Sequence, residues 1–398
     1  MKEKAATNKT DMKYRNRGLL LKLVATGQAT TRVDLARSMG LSKMAITNAV
    51  NEMVEAGLLI NDKTSSAVQP GRIPITLKIA EHAPKVLGVL IGREHCEATV
   101  CDLTSRILYR ETVQMQADMT KEKLYILVFQ LIDTLLARCE DPVIAIGVAS
   151  IGPVSVRSGM ILKPYYFYDI ENVEIVKVIE ERYNLPVYFE NDNQSAVLAE
   201  SLFGVGRGYR DILYVGVGNG IGCGIISNGE SFDNAKGLPS ELGHVSIDKN
   251  GPECPCGNRG CVETYVRTPE LLKKLRYYTG KYYTYDVFCR MKGVPEVENT
   301  FMDAANNLSA ALINVINILN SELIILGNSG SLWDDRYIAA LEDAVNRKRF
   351  ARWETPVLVK RPHFLKDAAV IGAACNAINA VFKGELIPRG LESLEQED

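Results

Sequence analysis

Long apolar runs are missing from this sequence. None approaches the roughly 20 residues that a membrane-crossing helix needs. The lysine-rich start MKEKAATNKTDMKYRNRG also lacks the apolar core that marks a secretory leader. Both absences point away from a membrane partner and towards a cytoplasmic protein. A disulfide framework is missing too, because nine cysteines spread over 398 residues are too sparse for one. There is no internal repeat, and no low-complexity stretch beyond the acidic end LESLEQED. With 46% hydrophobic and 24% charged residues, what remains is an ordinary globular chain, long enough for about two or three domains.

A strong overall charge is absent as well, the net being −2, but the balance is uneven. Residues 1–85 hold 14 lysines and arginines against 7 acidic residues, a net of +7, and the remainder holds 32 against 41, a net of −9. A basic head on an acidic body suits a polyanionic partner for the head alone. The pattern within the head agrees. NRGLLLKLVATG has helical apolar spacing and stops at Gly27, while TTRVDLARSMG opens on Thr31, has Asp34 three residues on, and ends at Gly40 in the manner of a capped helix. In LSKMAITNAVNEMVEAGLLI, Ser42 is a natural N-cap. Ile46, Val50, Met53 and Val54 form an inward stripe that leaves Lys43, Thr47, Asn48 and Asn51 outside. Two helices joined by the short MGLS turn, the second carrying small polar residues near its start, predict a helix-turn-helix whose second helix enters a major groove. The following LLINDKTSSAVQPGRIPITLKIA predicts two strands around a polar tip, a wing through which Arg72 reaches a minor groove or phosphates. Ser42, Lys43, Thr47, Asn48, Asn51 and Arg72 are therefore the candidate residues for contacting double-stranded DNA.

From about residue 84, strand candidates (VIAIGVAS, PVYFE, ILYVGVG, ELIILG) alternate with the amphipathic helices EKLYILVFQLIDTLLARC and FMDAANNLSAALINVINILN, which predicts an α/β fold with helices covering its sheets. VLGVLIGREHCEATVCDL opens this body as strand, turn and strand. Its turn holds Arg93 and Glu94 where a phosphate-binding loop needs small residues that let backbone N–H groups approach. ENDNQSAVLAE puts Asn191 and Asp192 at a strand end before a helix, a common place for ligand-binding polar groups, although an Asp there also serves as a helix cap. The segment GLPSELGHVSIDKNGPECPCGNRGCVE is more specific. Cys254, Cys256 and Cys261 crowd into eight residues of a Gly/Pro loop, with His244 ten residues upstream of the first, a donor set suited to tetrahedral structural zinc.

GVASIGPV, ENDNQSA, GVGNGIGCGIISNGE, GLPSELGH, CPCGNRGCVE and IILGNSGS occur in the order of the motifs of the repressor, open-reading-frame and kinase (ROK) family. Nearly the whole chain resembles that family's transcriptional-repressor branch. The resemblance implies a winged helix-turn-helix over 1–83, then a two-lobed actin-like, sugar-kinase-like (ribonuclease H-like) body. One lobe would span 84–193, completed by a C-terminal helix near 367–384, and the other 194–366 with the zinc loop. It also implies sugar ligands at Asn191, Asp192, Glu241, His244 and Glu263, with His244 serving both zinc and sugar, one nitrogen for each.

The chain departs from the family's kinases at its opening. There Leu90 stands for the aspartate that organises ATP phosphates and magnesium, and Arg93-Glu94 stand for a Gly-Thr pair. Phosphoryl transfer depends on positioning and charge neutralisation, so no catalytic residue is expected. Pro239-Ser240 replace the usual Ala-Gly. The expected protein is a sugar-responsive DNA-binding repressor, a homodimer or dimer of dimers on a near-palindromic operator. The alternatives are an active ATP-dependent sugar kinase with an accessory DNA-binding head, and a regulator switched by a protein partner.

Overall fold

The computed structural model describes residues 9–62, 76–165, 167–234 and 236–387. The head is built from α1 (Lys9–Ala25), α2 (Arg32–Met39), α3 (Lys43–Glu55), β1 (Leu59–Asp62) and β2 (Thr76–Ile79). The cap signals act as expected. Thr31 Oγ1 accepts from Asp34 N at 3.2 Å and Ser42 Oγ from Ala45 N at 3.2 Å. Gly40 closes α2 with φ of 63°, a left-handed conformation in which glycine carries no Cβ penalty. Leu20, Leu21, Leu35, Ile46, Val50 and Met53 are buried together as the head's core, while Val54 is only half-buried. β1 and β2 pair antiparallel from Leu59 with Ile79 to Asp62 with Thr76. The ribbon's tip, with Arg72, lies outside the described residues. α1 starts earlier than the NRGLLLKLVATG stretch predicts: Lys13, before that stretch, and Arg17, near its start, bind Glu52 of α3 and hold the first turns against it.

The body continues with β3 (Lys85–Ile91), β4 (His95–Cys101), β5 (Ile107–Gln114), α4 (Lys121–Arg138) and β6 (Val143–Ser150). The two-residue strands β7 (Val154–Ser155) and β8 (Met160–Ile161) precede α5 (Ile175–Tyr183), β9 (Val187–Asn191) and α6 (Asp192–Phe203). There follow β10 (Ile212–Val217), β11 (Ile221–Ser227), β12 (Glu230–Ser231), α7 (Glu263–Val266), α8 (Thr268–Thr279), α9 (Tyr285–Arg290) and α10 (Pro295–Leu319). The chain closes with β13 (Leu323–Asn328), α11 (Asp335–Lys348), β14 (Leu358–Lys360) and α12 (Ala368–Phe382).

Two five-stranded sheets result, ordered β5-β4-β3-β6-β9 and β12-β11-β10-β13-β14. In each, three sequential strands form an antiparallel meander, and the first of them pairs parallel with a later strand, β3 with β6 and β10 with β13. The same topology thus occurs twice without a recognisable repeat in the sequence.

Contacts divide the chain into two units, one gathering the described residues of 1–151, 158–190 and 373–398, the other 152–157 and 191–372. The lobe boundary placed at 193 falls instead at 190/191. The reason is that α6 packs on the second sheet: a Cβ on Gly216, Gly222 or Gly224 would come within 2.0 to 2.3 Å of Asn193. The glycine alternation of GVGNGIGCG therefore makes room for the start of α6. The head belongs to the first unit. A Cβ on Gly18 of α1 would lie 2.5 Å from Phe382 O, and one on Gly384 would lie 2.5 Å from Tyr14 O, so α1 and the turn after α12 meet backbone to backbone. The window Leu365–Phe382 comes nearer to a membrane span in length and apolar composition than expected, but 67% of it is buried inside the protein. Ala373, Ala374, Cys375, Ala377 and Ile378 of α12 are fully buried, as in a core helix.

Candidate functional site

In the head, burial of Ile46, Val50 and Met53 fixes which face of α3 meets solvent. Lys43, Asn48 and Asn51 are exposed and Thr47 is half-buried. The Thr47 hydroxyl donates back to Lys43 O at 2.8 Å, which commits its proton to the helix backbone. Ser42 is exposed, with its hydroxyl engaged as the N-cap of α3. Met44 was missed by the sequence reading. It is 70% exposed and precedes Thr47, Asn48 and Asn51 at the helical spacing i, i+3, i+4, i+7. That spacing was the available signal, but a methionine counts as a core residue until the opposite stripe is seen to be buried.

In the second unit, Asn191 is buried at the end of β9 and caps α6, its Oδ1 accepting from Asn193 N at 3.0 Å. Asp192 occupies the first helical position, and its Oδ1 accepts from Asn193 N and Nδ2, each at 2.8 Å. The capping role open to Asp192 thus falls to Asn191. A Cβ on Gly152 would lie 3.3 Å from Asn191 Nδ2 and 3.7 Å from Pro239 Cγ, so the strand end and the GLPSELGH segment converge around Gly152.

The same segment leads into a short 3-10 turn, Leu242–His244, that presents His244 to the cysteine loop. The ligand atoms of His244, Cys254, Cys256 and Cys261 all lie within 4.8 Å of one another. Cys254 Sγ is 3.5 Å from His244 Nδ1, and Cys256 Sγ is 3.7 Å from Cys261 Sγ. Zinc bonds of about 2.3 Å to sulfur and about 2.1 Å to nitrogen imply tetrahedral edges of about 3.8 Å between sulfurs and about 3.6 Å from sulfur to nitrogen. The residues fit a four-coordinate metal that takes Nδ1 of His244 and leaves Nε2 for another partner. Glu263, at the start of α7, sits against this cluster, its Oε1 3.3 Å from Cys254 Sγ and 3.5 Å from His244 Nδ1. Partial burial raises the Glu241 carboxyl above its ordinary range, against the lowering pull of His244 and with the raising push of Glu263. His244 and Glu263 therefore lie within electrostatic reach of the Glu241 carboxyl.

In the first unit, side chains at and beside the turn between β3 and β4 are engaged by other protein groups or buried. Arg93 donates to the Tyr165 carbonyl. Glu97 is paired with Arg110 at 3.0 Å and lies 3.9 Å from His95 Nε2. Leu90 is buried in the apolar core.

The two sheets of common topology, with a His/Cys3 loop inserted in the second, define a sugar-kinase-like α/β body, and the ROK family model matches residues 86–380. The chain belongs to the ROK family. It is 25% identical over 386 residues to the xylose repressor of Caldicellulosiruptor bescii, covering 92% of this chain and 95% of that one. Among solved structures, it resembles a ROK family transcriptional regulator described as a homolog of the E. coli Mlc protein. That likeness has a TM-score of 0.81 at 23% identity and covers 96% of this chain and 100% of that one. The ROK hexokinase from Thermus thermophilus matches with a TM-score of 0.63 and 27% identity, covering 73% of this chain and 97% of that one.

Proposed function

We propose that the chain is a sugar-responsive, DNA-binding transcriptional repressor, with a winged helix-turn-helix joined to a ROK body that senses without catalysing. The observation that carries this reading is the solvent-facing stripe of α3, running through Lys43, Met44, Thr47, Asn48 and Asn51, on a basic head attached to a ROK body. Lys43 and the wing's Arg72 serve phosphates, and Thr47, Asn48 and Asn51 serve base edges. The xylose repressor relative supports the reading because its similarity extends across head and body alike. Asn191, Asp192, Glu241, His244 Nε2 and Glu263 bind hydroxyls of a monosaccharide or derivative.

His244, Cys254, Cys256 and Cys261 hold zinc. All four positions come from the protein, so the metal fixes the loop's shape and leaves no coordinated water for chemistry. The kinase alternative is disfavoured by Leu90, which offers no carboxylate for magnesium, and by Glu94, whose charge opposes a polyphosphate. A homodimer on a near-palindromic operator follows from the geometry of helix-turn-helix recognition, in which half-sites lie about 34 Å apart or a multiple of that.

The test is selection of genomic fragments by the intact protein, with and without a panel of monosaccharides that includes xylose and glucose. A near-palindrome released by one sugar is the expected result. Sequence-blind binding, or sugar-dependent ADP release from ATP and magnesium, would overturn the reading.

A further inference from the structure

Arg32, the first residue of α2, reaches two other elements of the head. Its Nη2 donates to Asn51 Oδ1 of α3 at 3.4 Å, and its Nη1 donates to Asn61 Oδ1 of β1 at 3.1 Å. A guanidinium carries donors only. Whichever amide atom of Asn51 faces it must therefore be the carbonyl oxygen, and the NH2 group is the end of the amide left to donate elsewhere.

We infer that Arg32 is a positioning residue for base readout that makes Asn51 a donor and so directs it to guanine. This rests on the DNA-binding reading above. An asparagine with both ends free pairs with adenine, its NH2 donating to N7 and its oxygen accepting from N6. When the oxygen is held by a cation, the adenine N6 amino group meets an engaged acceptor with a positive charge beside it. Guanine presents two acceptors in the same places, N7 and O6, so the Asn51 NH2 finds an acceptor there and no base donor is left facing the engaged oxygen. Asn61 holds the other arm of the fork, so the wing strand takes part in setting what α3 reads. Thr47, one turn earlier on the stripe, has its hydroxyl proton committed to Lys43 O, so it offers no competing donor beside Asn51.

The experiment is selection from a random duplex library with full-length protein, comparing wild type, Asn51→Ala, Arg32→Ala and Arg32→Lys. The position that loses preference in Asn51→Ala is the one read by Asn51. There the wild type selects guanine. Arg32→Ala frees the amide and moves the preference to adenine, a change in ratio on the order of tenfold. Arg32→Lys keeps the charge without the fork and gives an intermediate preference. Melting curves unchanged among the variants separate this from a folding defect.

Adenine at that position in the wild type overturns the inference. So does a uniform loss of affinity in Arg32→Ala with a shallower salt dependence, since that identifies a phosphate contact. If the wild type selects no sequence and Asn51→Ala changes nothing, the DNA-binding reading itself has failed, and this inference falls with it.

Discussion

Asp192 and Cys261 put the two proposed roles of the second unit to separate tests. Asp192 Oδ1 accepts from Asn193 N and Nδ2, and in the proposed reading the carboxylate also accepts from a sugar hydroxyl. Asp192→Asn keeps the shape and removes the charge-assisted bond. It should raise the sugar concentration needed to release DNA by on the order of tenfold or more, with operator affinity in the absence of sugar unchanged. Titrating operator binding against sugar checks both halves. Cys261→Ser replaces a buried member of the His244/Cys254/Cys256/Cys261 cluster, the proposed zinc site. Stoichiometric zinc in the wild type, and its loss together with increased protease cutting near 244–263 in the variant, are expected. Elemental analysis alongside limited proteolysis reads both. The cysteines were legible in the sequence because a rare residue type is bunched in one loop, whereas Asp192 stood out only by its place at a strand end and by the family resemblance. Met44 and Arg32 were not, since an exposed methionine and a helix-start arginine acquire meaning only once their neighbours' faces are known.

At the scale of elements, α1 and α3 are fastened by Glu52, which accepts from Arg17 Nε at 2.8 Å and pairs with Lys13 at 3.0 Å. The hydrogen bond from Arg17 is the largest influence on the Glu52 carboxyl and, with Lys13, it lowers the pKa below the ordinary value of 4.5 despite partial burial. A depressed carboxylate stabilises the fold fully above its unfolded-state value and loses that contribution as pH falls through the folded-state value. Glu52→Gln should therefore cost about 1 kcal/mol at pH 7, the upper range for a solvent-screened pair. The gap in melting temperature between the two proteins should close as pH drops below about 4.5. A gap that persists in acid would assign the stabilisation to packing of the side chain instead. Element types were well predicted by periodicity, since β6, β10, β13, α4 and α10 fall on the strands and helices expected from their apolar spacing. The early start of α1 escaped that reading because its first turns are held by cations reaching Glu52, 35 or more residues away in the chain, a long-range effect that a local window does not contain.

For the whole molecule, the uneven charge makes a prediction of its own. In the proposed reading the basic head, and not the acidic body, engages phosphates, so operator affinity should fall steeply with salt. Sugar affinity, which depends on uncharged hydroxyls, should barely change over the same range, and measuring both by titration at several ionic strengths tests the division of labour. The two-sheet duplication was illegible in the sequence because topology is preserved by backbone pairing, which many apolar side chains satisfy. The grouping of the head with the first unit was equally hidden, since it depends on Gly18 and Gly384, which lie at opposite ends of the chain. That meeting of backbones bears on how regulators of this kind can be recombined. A head transplanted by cutting at residue 83 would carry α1 away from the turn it was shaped to fit, leaving the graft facing a foreign surface where even one added methyl group is unwelcome. Chimaeras that move residues 380–387 together with the head should express as folded, operator-binding proteins. Those that move the head alone should lose about 1 to 3 kcal/mol at the seam, visible as a separate, earlier melting step.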